Sequence, residues 1–418
     1  MPMYPRIIIK KERERSLQFK HPWLFSRALE HVQGIESGTL VRITNSEGHI
    51  LGTGYYNSHS QIAVRLFYFG SEEIEIDQKF FENAFTQAKK QREKFLPGKT
   101  NAYRLVFSES DGIPGLIVDK YNEFLVVQIH TLGMDRLREI VVKALQKVFK
   151  PKGIYERSDV EVRRKDGLQT LPTGLLAGVE PADEYEILEH GLKFFVDMKH
   201  GQKTGFFLDQ RENRQAVADC SKGKSVLNLF SYSGGFSLAA ASGGAISTIS
   251  VDVDKHALEL ARKNFKLNEF ENGKDADNES GKNAGTGADS GSQHEFVAED
   301  VFAFLDKASA EKRQFDLVIV DPPAFVKSRE NLPNAVNGYV RLNRMALKVL
   351  KPGGILATAS CSSHVDQALF RTIIFKAAMQ ANADLVLLES KTQPADHPLR
   401  INFPEGEYLK FNLLLKKG

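Results

Sequence analysis

The sequence predicts an α/β chain in three parts: a small β-barrel over residues 1–75, a central α+β domain over 76–190, and a doubly wound sheet over 191–418. Three observations carry that prediction. At 418 residues with 42% hydrophobic content, the chain has material for two or three separate cores. Residues 38–68 alternate in short β-favouring runs broken by "NSEG" and "NSHS", the pattern of tightly turned antiparallel strands. From Ser221 onward apolar runs alternate with helical ones, and strands apolar on both faces belong to parallel sheets covered by helices.

The elements come in order. In "DQKFFENAFTQAKKQREKFL", Phe80, Phe81, Ala84, Phe85 and Ala88 fall on one side at helical spacing. "AYRLVFSESDGIPGLIVDKYNEFLVVQIH" reads as strands separated by "SDGIPG" and "KYNE", and "DRLREIVVKALQKVF" as a helix. In the last part the strands are "KSVLNLF", "ISTISVD", "HEFVAED", "FDLVIVD" and "GILATAS", and the helices between them include "DKHALELARKNFKL" and "NGYVRLNRMALKVL". One stretch breaks this rhythm. From Glu269 to Glu295 seven acids face two lysines. With so little apolar surface it does not offset its ordering entropy, so a disordered acidic insertion is expected at about 270–293.

Two cysteines, Cys220 and Cys361, make neither a disulfide framework nor a four-ligand zinc site, and no metal is expected. The amino terminus lacks an apolar signal core and no run approaches eighteen apolar residues, so the expectation is a cytoplasmic protein without membrane contact. A net charge of +3 decides nothing by itself. Through residue 71, however, nine basic side chains stand against five acidic ones, and that local excess suggests RNA affinity in the first part. Trp23 reads as core rather than as a stacking platform.

Parallel sheets bind ligands beyond the carboxyl ends of their strands. After the first strand, Ser233, Gly234 and Gly235 make a tight turn into a helix, where glycine lets a ligand approach the backbone. The second strand ends at Asp252, about twenty residues on, the spacing of an acid that accepts from a ribose diol; Asp254 reads as a helix cap. The third ends at Glu299 and Asp300, either an adenine contact or another cap. No "GKS" or "GKT" stands at a strand end, since "KGKS" at 222–225 precedes its strand. Adenosine without phosphates therefore fits better than a nucleotide, and S-adenosylmethionine is the common such cofactor. The fourth strand ends in "DPPAF": Pro322 and Pro323 lack N–H groups and form a rigid acceptor wall, Asp321 can hold the amino and ring-nitrogen edge of a base, and Phe325 can stack on it. The fifth ends at Cys361. A lone cysteine is usually a small buried hydrophobe, as Cys220 is read here, but a thiol at a strand end faces the crevice and can serve as a nucleophile.

Together "VLNLFSYSGGFSLAAA", "HGQKTGFFLDQREN", "FDLVIVDPPAF" and "ASCSSH" resemble the large-subunit rRNA cytosine-C5 methyltransferases of the class I, S-adenosylmethionine-dependent superfamily. "KHPWLFSRALE" resembles the opening of that family's PUA domain, a small RNA-binding barrel; "FSESDGIPGLIVDKYNEFLVVQ" and "YERSD" resemble its central domain; "ADHPLRINFPEGEYLK" resembles its carboxyl-terminal strands. The resemblance implies a Rossmann-like methyltransferase sheet. It implies that Phe230, Ser231, Tyr232, Ser233, Gly234, Gly235, Asp252 and Asp300 bind the cofactor, that the segment with Gln210 and Arg211 closes over it, and that Cys361 is the nucleophile on rRNA; the chemistry of a C6 adduct then asks Asp321 to hold the base by its N3 and N4 edge and stabilise it. The other large group of RNA cytosine-C5 methyltransferases carries a second cysteine where this chain has Ala324, so the group that removes the C5 proton is open. Two rivals stand beside this reading: a methyltransferase acting on an exocyclic amine through the Asp-Pro-Pro segment, which needs no cysteine, and a non-catalytic RNA-binding protein. The sequence does not decide between monomer and homodimer.

Overall fold

The fold is described from a computed structural model, which covers residues 4–96, 98–169, 173–270, 293–325 and 331–418. The acidic insertion expected at about 270–293 falls almost wholly outside these residues. The chain divides into two compact units, one made of residues up to Gly191 with Val196–Leu208 and Ala395–Gly406, the other of Leu192–Phe195, Asp209–Pro394 and Glu407–Gly418.

The first unit contains two five-stranded sheets. In one, Leu40–Thr44, Ile50–Tyr56 and Ile62–Phe69 run antiparallel as the turn signals require. Asn45 makes the first of those turns by accepting from the N–H groups of Glu47 and His49 at 3.1 and 2.9 Å. The helix Gln78–Phe95 begins where Asp77 accepts from the Phe80 N–H, and it buries Phe81, Phe85 and Ala88 as its spacing demands. Its core is shared with the second sheet. Trp23 is half-buried, its indole N–H donating to Glu109 at 2.7 Å.

Arg65 and Glu109, 8% and 7% exposed, form an ion pair at 3.1 Å inside this unit. Burial pushes the Glu109 carboxyl up, but Arg65, Ser108 and Trp23 override it and hold it below the ordinary value. Arg65→Met leaves that buried carboxylate without its cation and is expected to destabilise the unit by about 3–5 kcal/mol, read as a lower denaturant midpoint at neutral pH.

The second unit is a seven-stranded sheet. After a helix over Arg211–Asp219 come β1 (Ser225–Leu229), α1 (Gly235–Ser242), β2 (Ser247–Asp252), α2 (Lys255–Leu267), β3 (Gln293–Ala298), α3 (Val301–Ala310), β4 (Phe315–Val320), α4 (Leu332–Lys348), β5 (Leu350–Ser360), α5 (Gln367–Gln380), β6 (Leu385–Lys391) and β7 (Lys410–Lys416). The order is β3-β2-β1-β4-β5-β7-β6. Strands β1 to β5 are parallel, and β7 is antiparallel to both β5 and β6. The five apolar runs read as parallel strands are β1 to β5. The carboxyl-terminal strands differ from expectation: most of "ADHPLRINFPEGEYLK" is loop and 3-10 turn, strand begins only at Lys410, and the other strand is Leu385–Lys391. "DHP" and "FPEG" interrupt the backbone pairing that the apolar residues of that stretch suggest. Among the described residues no helix is long and apolar enough to cross a membrane.

Candidate active site

Because β1, β2, β4 and β5 are parallel and in register, their carboxyl ends line one edge of the sheet: Leu229 pairs with Val251 and Val320, and Val320 with Thr358. Asp252, Asp321 and the turn after β1 therefore stand level, and Cys361 lies two residues beyond the level of Asp321.

The turn after β1 is strained. Phe230 and Tyr232 have φ of 59° and 48°, and Gly234 has 74°; a non-glycine residue in this left-handed region costs on the order of 1–3 kcal/mol. Asp252 holds the turn by accepting from the Tyr232 N–H at 2.8 Å, and its other oxygen accepts from the Asp254 N–H at 3.0 Å. Each carboxylate oxygen has a second lone pair, so these bonds leave capacity for a diol. Gly234 has a reason the sequence did not show: a Cβ there would meet the Ala261 Cβ at 2.8 Å, so glycine allows α1 and α2 to approach. Beneath the turn, buried Asn228 donates to Ser237, which shares a 2.6 Å bond with Ser250. The buried Ser231 hydroxyl has no hydrogen-bond partner among the described residues. A strained turn, a fixed carboxylate and an unsatisfied buried hydroxyl fit a ligand with hydroxyl groups to share.

Asp254 caps α2, accepting from His256 and Ala257. Exposed Asp300 caps α3 through the Ala303 N–H at 3.0 Å; this is the capping alternative, and it does not occupy the second carboxylate oxygen.

Asp321 is held through Oδ2 by the Gln210 side-chain N–H at 2.9 Å, and Gln210 in turn accepts from Asn213 at 2.6 Å. Gln210 and Arg211 are both buried, and Arg211 donates to Glu212 at 3.0 Å. Pro322 is buried while Pro323 and Ala324 are exposed. The Phe325 ring packs on Tyr339, centroids 4.7 Å apart, so any base stacking must use the part of the ring that Tyr339 leaves.

Cys361 is half-buried, and its chain neighbours Ser360 and Ser362 are held by polar groups. The Tyr339 hydroxyl of α4 bonds to both Ser360 and Ser362 at 3.1 Å. Lys410 donates to the Ser362 carbonyl at 2.6 Å. Cys220 is half-buried as well, but it packs against the sheet core, its thiol donates to the Val217 carbonyl at 3.3 Å, and burial pushes it up to about 11, as a structural thiol should be. Sequence reasoning missed Asn213, Tyr339 and Lys410. Tyr339 and Asn213 carry no spacing signal, but a lysine opening the apolar run "KFNLLL" was a visible anomaly.

The family model for an S-adenosylmethionine-dependent methyltransferase matches residues 173–400, and that for a PUA-like domain matches residues 7–69. Over 406 residues the chain is 40% identical to a protein of Aeromonas salmonicida named ribosomal RNA large subunit methyltransferase I, with 97% of each chain covered. A Yersinia pestis protein of the same name is 40% identical with 98% of each covered. Among solved structures, a putative SAM-dependent methyltransferase from Streptococcus mutans superposes with a TM-score of 0.80 at 26% identity, covering 98% of this chain and 100% of that one. A putative methyltransferase complexed with SAH gives 0.81 at 25% identity with the same coverage.

Proposed function

The chain belongs to the S-adenosylmethionine-dependent methyltransferase family, and from that premise we propose that it methylates a cytidine of large-subunit ribosomal RNA at C5, in the cytoplasm where ribosomes are made. The rRNA substrate is supported by the names of relatives that align over nearly the whole chain. Cytosine C5 is supported by one observation: a half-buried thiol, Cys361, just beyond the carboxyl end of β5 on the edge of the sheet that carries Asp252 and Asp321.

The turn from Phe230 to Gly235, Ser231 and Asp252 hold the cofactor in this reading. S-adenosylmethionine supplies, when bound, an electrophilic methyl group on a sulfonium centre. Cytosine C5 is too weakly nucleophilic to take that methyl unaided, so Cys361 first activates it. The thiolate pair forms the S–C6 bond as the C5=C6 pair moves to C5. Asp321, its rotamer fixed by Gln210, holds the N3 and N4 edge and stabilises the adduct. Once C5 carries the methyl, its proton leaves, the C–H pair restores C5=C6, and the S–C6 pair returns to sulfur. Mass spectrometry of rRNA nucleosides from cells lacking the gene should show loss of one 5-methylcytidine, restored by complementation. Loss of an N-methylated base instead would replace this reading with the exocyclic-amine one.

The first part is proposed to bind RNA by its surface cations. Counting through residue 75 brings in Glu72, Glu73 and Glu75 and cuts the charge excess to one. Two of the nine cations, Arg42 and Arg65, are also buried. The affinity therefore rests on exposed residues such as Lys11, Arg13, Arg15 and Lys20. Truncating the whole part would strand Glu109, so point changes are the cleaner probe. Changing these four to Gln should weaken RNA binding and flatten the salt dependence by roughly 0.7 in log–log slope per lost phosphate contact on single strands. An unchanged slope in a filter-binding titration would rule the role out.

A further inference from the structure

The amino-terminal part leaves large apolar side chains outside although a core stands next to them. Phe19 is 60% exposed, Phe25 48% and Ile401 93%. Single exposed hydrophobics need no explanation, but these three gather at one corner of the first unit. The short helix Glu14–Gln18 ends there in a left-handed turn: the His21 N–H donates to the Ser16 carbonyl at 3.2 Å and the Lys20 N–H to the Leu17 carbonyl at 2.9 Å. Lys20 takes a φ of 54° in that turn, at the position where glycine is usual. Asn402 locks the turn by donating to the carbonyls of Phe19 and Lys20 at 3.0 and 2.7 Å, so Ile401, next in the chain, stands beside it. A row of rings runs beneath. His21 and Trp23 pack on buried Phe403, centroids 5.8 and 4.8 Å apart, and Trp23 meets Phe25 at 6.4 Å. Phe25 ends the outermost strand of its sheet, Trp23–Phe25. A strained backbone and a side-chain tether thus hold Phe19 outward, which adds nothing to the core.

The charge around these rings decides what covers them. Arg15 lies over Phe19, its guanidinium carbon 5.2 Å from the ring centroid, and the exposure of the ring leaves surface for a second planar group. Lys11, Arg13, Arg15, Lys20 and Arg27 are all exposed, and Glu12 is the one exposed acid between Lys11 and Arg27. Across the turn, Glu405 faces His21 at 3.4 Å. A partner protein with a matching apolar face would bury those cations unpaired, and a second copy of this chain would bring the same cations against them. RNA meets both demands at once: phosphates pair with the cations while the faces of the bases cover the rings. A duplex keeps those faces stacked inside, so only unpaired nucleotides offer them. We infer that Phe19 and Phe25, with Arg15, form a stacking platform for unpaired bases of rRNA, which makes the first part selective for single strands rather than a holder of phosphates alone. The inference rests on the reading that this part binds RNA.

The test is a filter-binding titration of the full-length protein with three probes: an unstructured single-stranded RNA, the same strand annealed into a duplex, and an abasic ribose-phosphate strand of the same length. The unsubstituted protein should hold the first more tightly than the other two. Phe19→Ala should weaken single-strand binding by about tenfold and leave the salt slope and the duplex and abasic affinities in place. Phe19→Trp should keep the tight binding, and Phe25→Ala should give a smaller loss of the same kind. Both side chains are exposed, so these changes leave the core as it is. A protein that holds duplex or abasic strand as tightly as single strand overturns the inference without any variant. So does a protein with both Phe19→Ala and Phe25→Ala that binds single strand as the unsubstituted one does, which would give the apolar corner to a protein contact. Either result leaves the RNA reading standing if changing Lys11, Arg13, Arg15 and Lys20 to Gln still flattens the salt slope. An unchanged slope there removes that reading and takes the inference with it.

Discussion

Cys361→Ala is expected to lose methyl transfer by at least about three orders of magnitude, with S-adenosylmethionine binding unchanged by calorimetry. The two readouts separate because the proposed cofactor groups, Asp252 and the turn from Phe230 to Gly235, lie at the ends of β2 and β1, whereas Cys361 follows β5, two strands from β1 and three from β2. Losing a covalent nucleophile removes the whole route rather than one interaction, so the effect on kcat is large and is not recovered by more substrate. RNA with fluorine at the target C5 sharpens the test. No proton can leave C5, so the S–C6 bond persists, and a protein–RNA adduct should survive denaturing electrophoresis with Cys361 and be absent with Cys361→Ala. A variant that methylates at the normal rate would leave the exocyclic-amine reading in possession of the Asp-Pro-Pro segment.

Asp321→Asn should lower the single-turnover rate by about 10²–10⁴-fold with a smaller change in RNA affinity. The carboxylate accepts from Gln210 through Oδ2. An asparagine in its place will keep that bond through its carbonyl, which turns its NH₂ toward the base. That group opposes the cytosine amino group and cannot pass a proton to N3. Gln210→Ala should produce a milder loss of the same kind, because it releases the rotamer and keeps the charge. An Asp321→Asn rate within threefold of the unsubstituted one would exclude a role for this carboxylate in the adduct.

The methyltransferase sheet was legible because its strands are short, apolar on both faces and separated by helices with their own period. Asp252, Asp321 and Cys361 each stand at the carboxyl end of such a run, and that position alone was enough to single them out. The strand order could not be read that way. That β7 inserts between β5 and β6 is a tertiary fact, and the prolines of 395–410 disguised where β7 begins. The polar links were hidden for the same reason: Gln210 reaches Asp321 across 111 positions and Lys410 reaches Ser362 across 48. Charge counting in the first part overstates the cations on the surface, since Arg42 and Arg65 are buried and paired with acids.

The late position of β7 sets a timetable for synthesis. Until residues 410–416 leave the ribosome, β5 presents a naked edge and β6, whose neighbour in the sheet is β7, has nothing to join. Unpaired edges of this kind are where nascent chains aggregate. The strand that seals the edge is the last of this sheet to be made, so the ladder that steadies β5, with Cys361 just beyond it, is complete only once residues 410–416 have emerged.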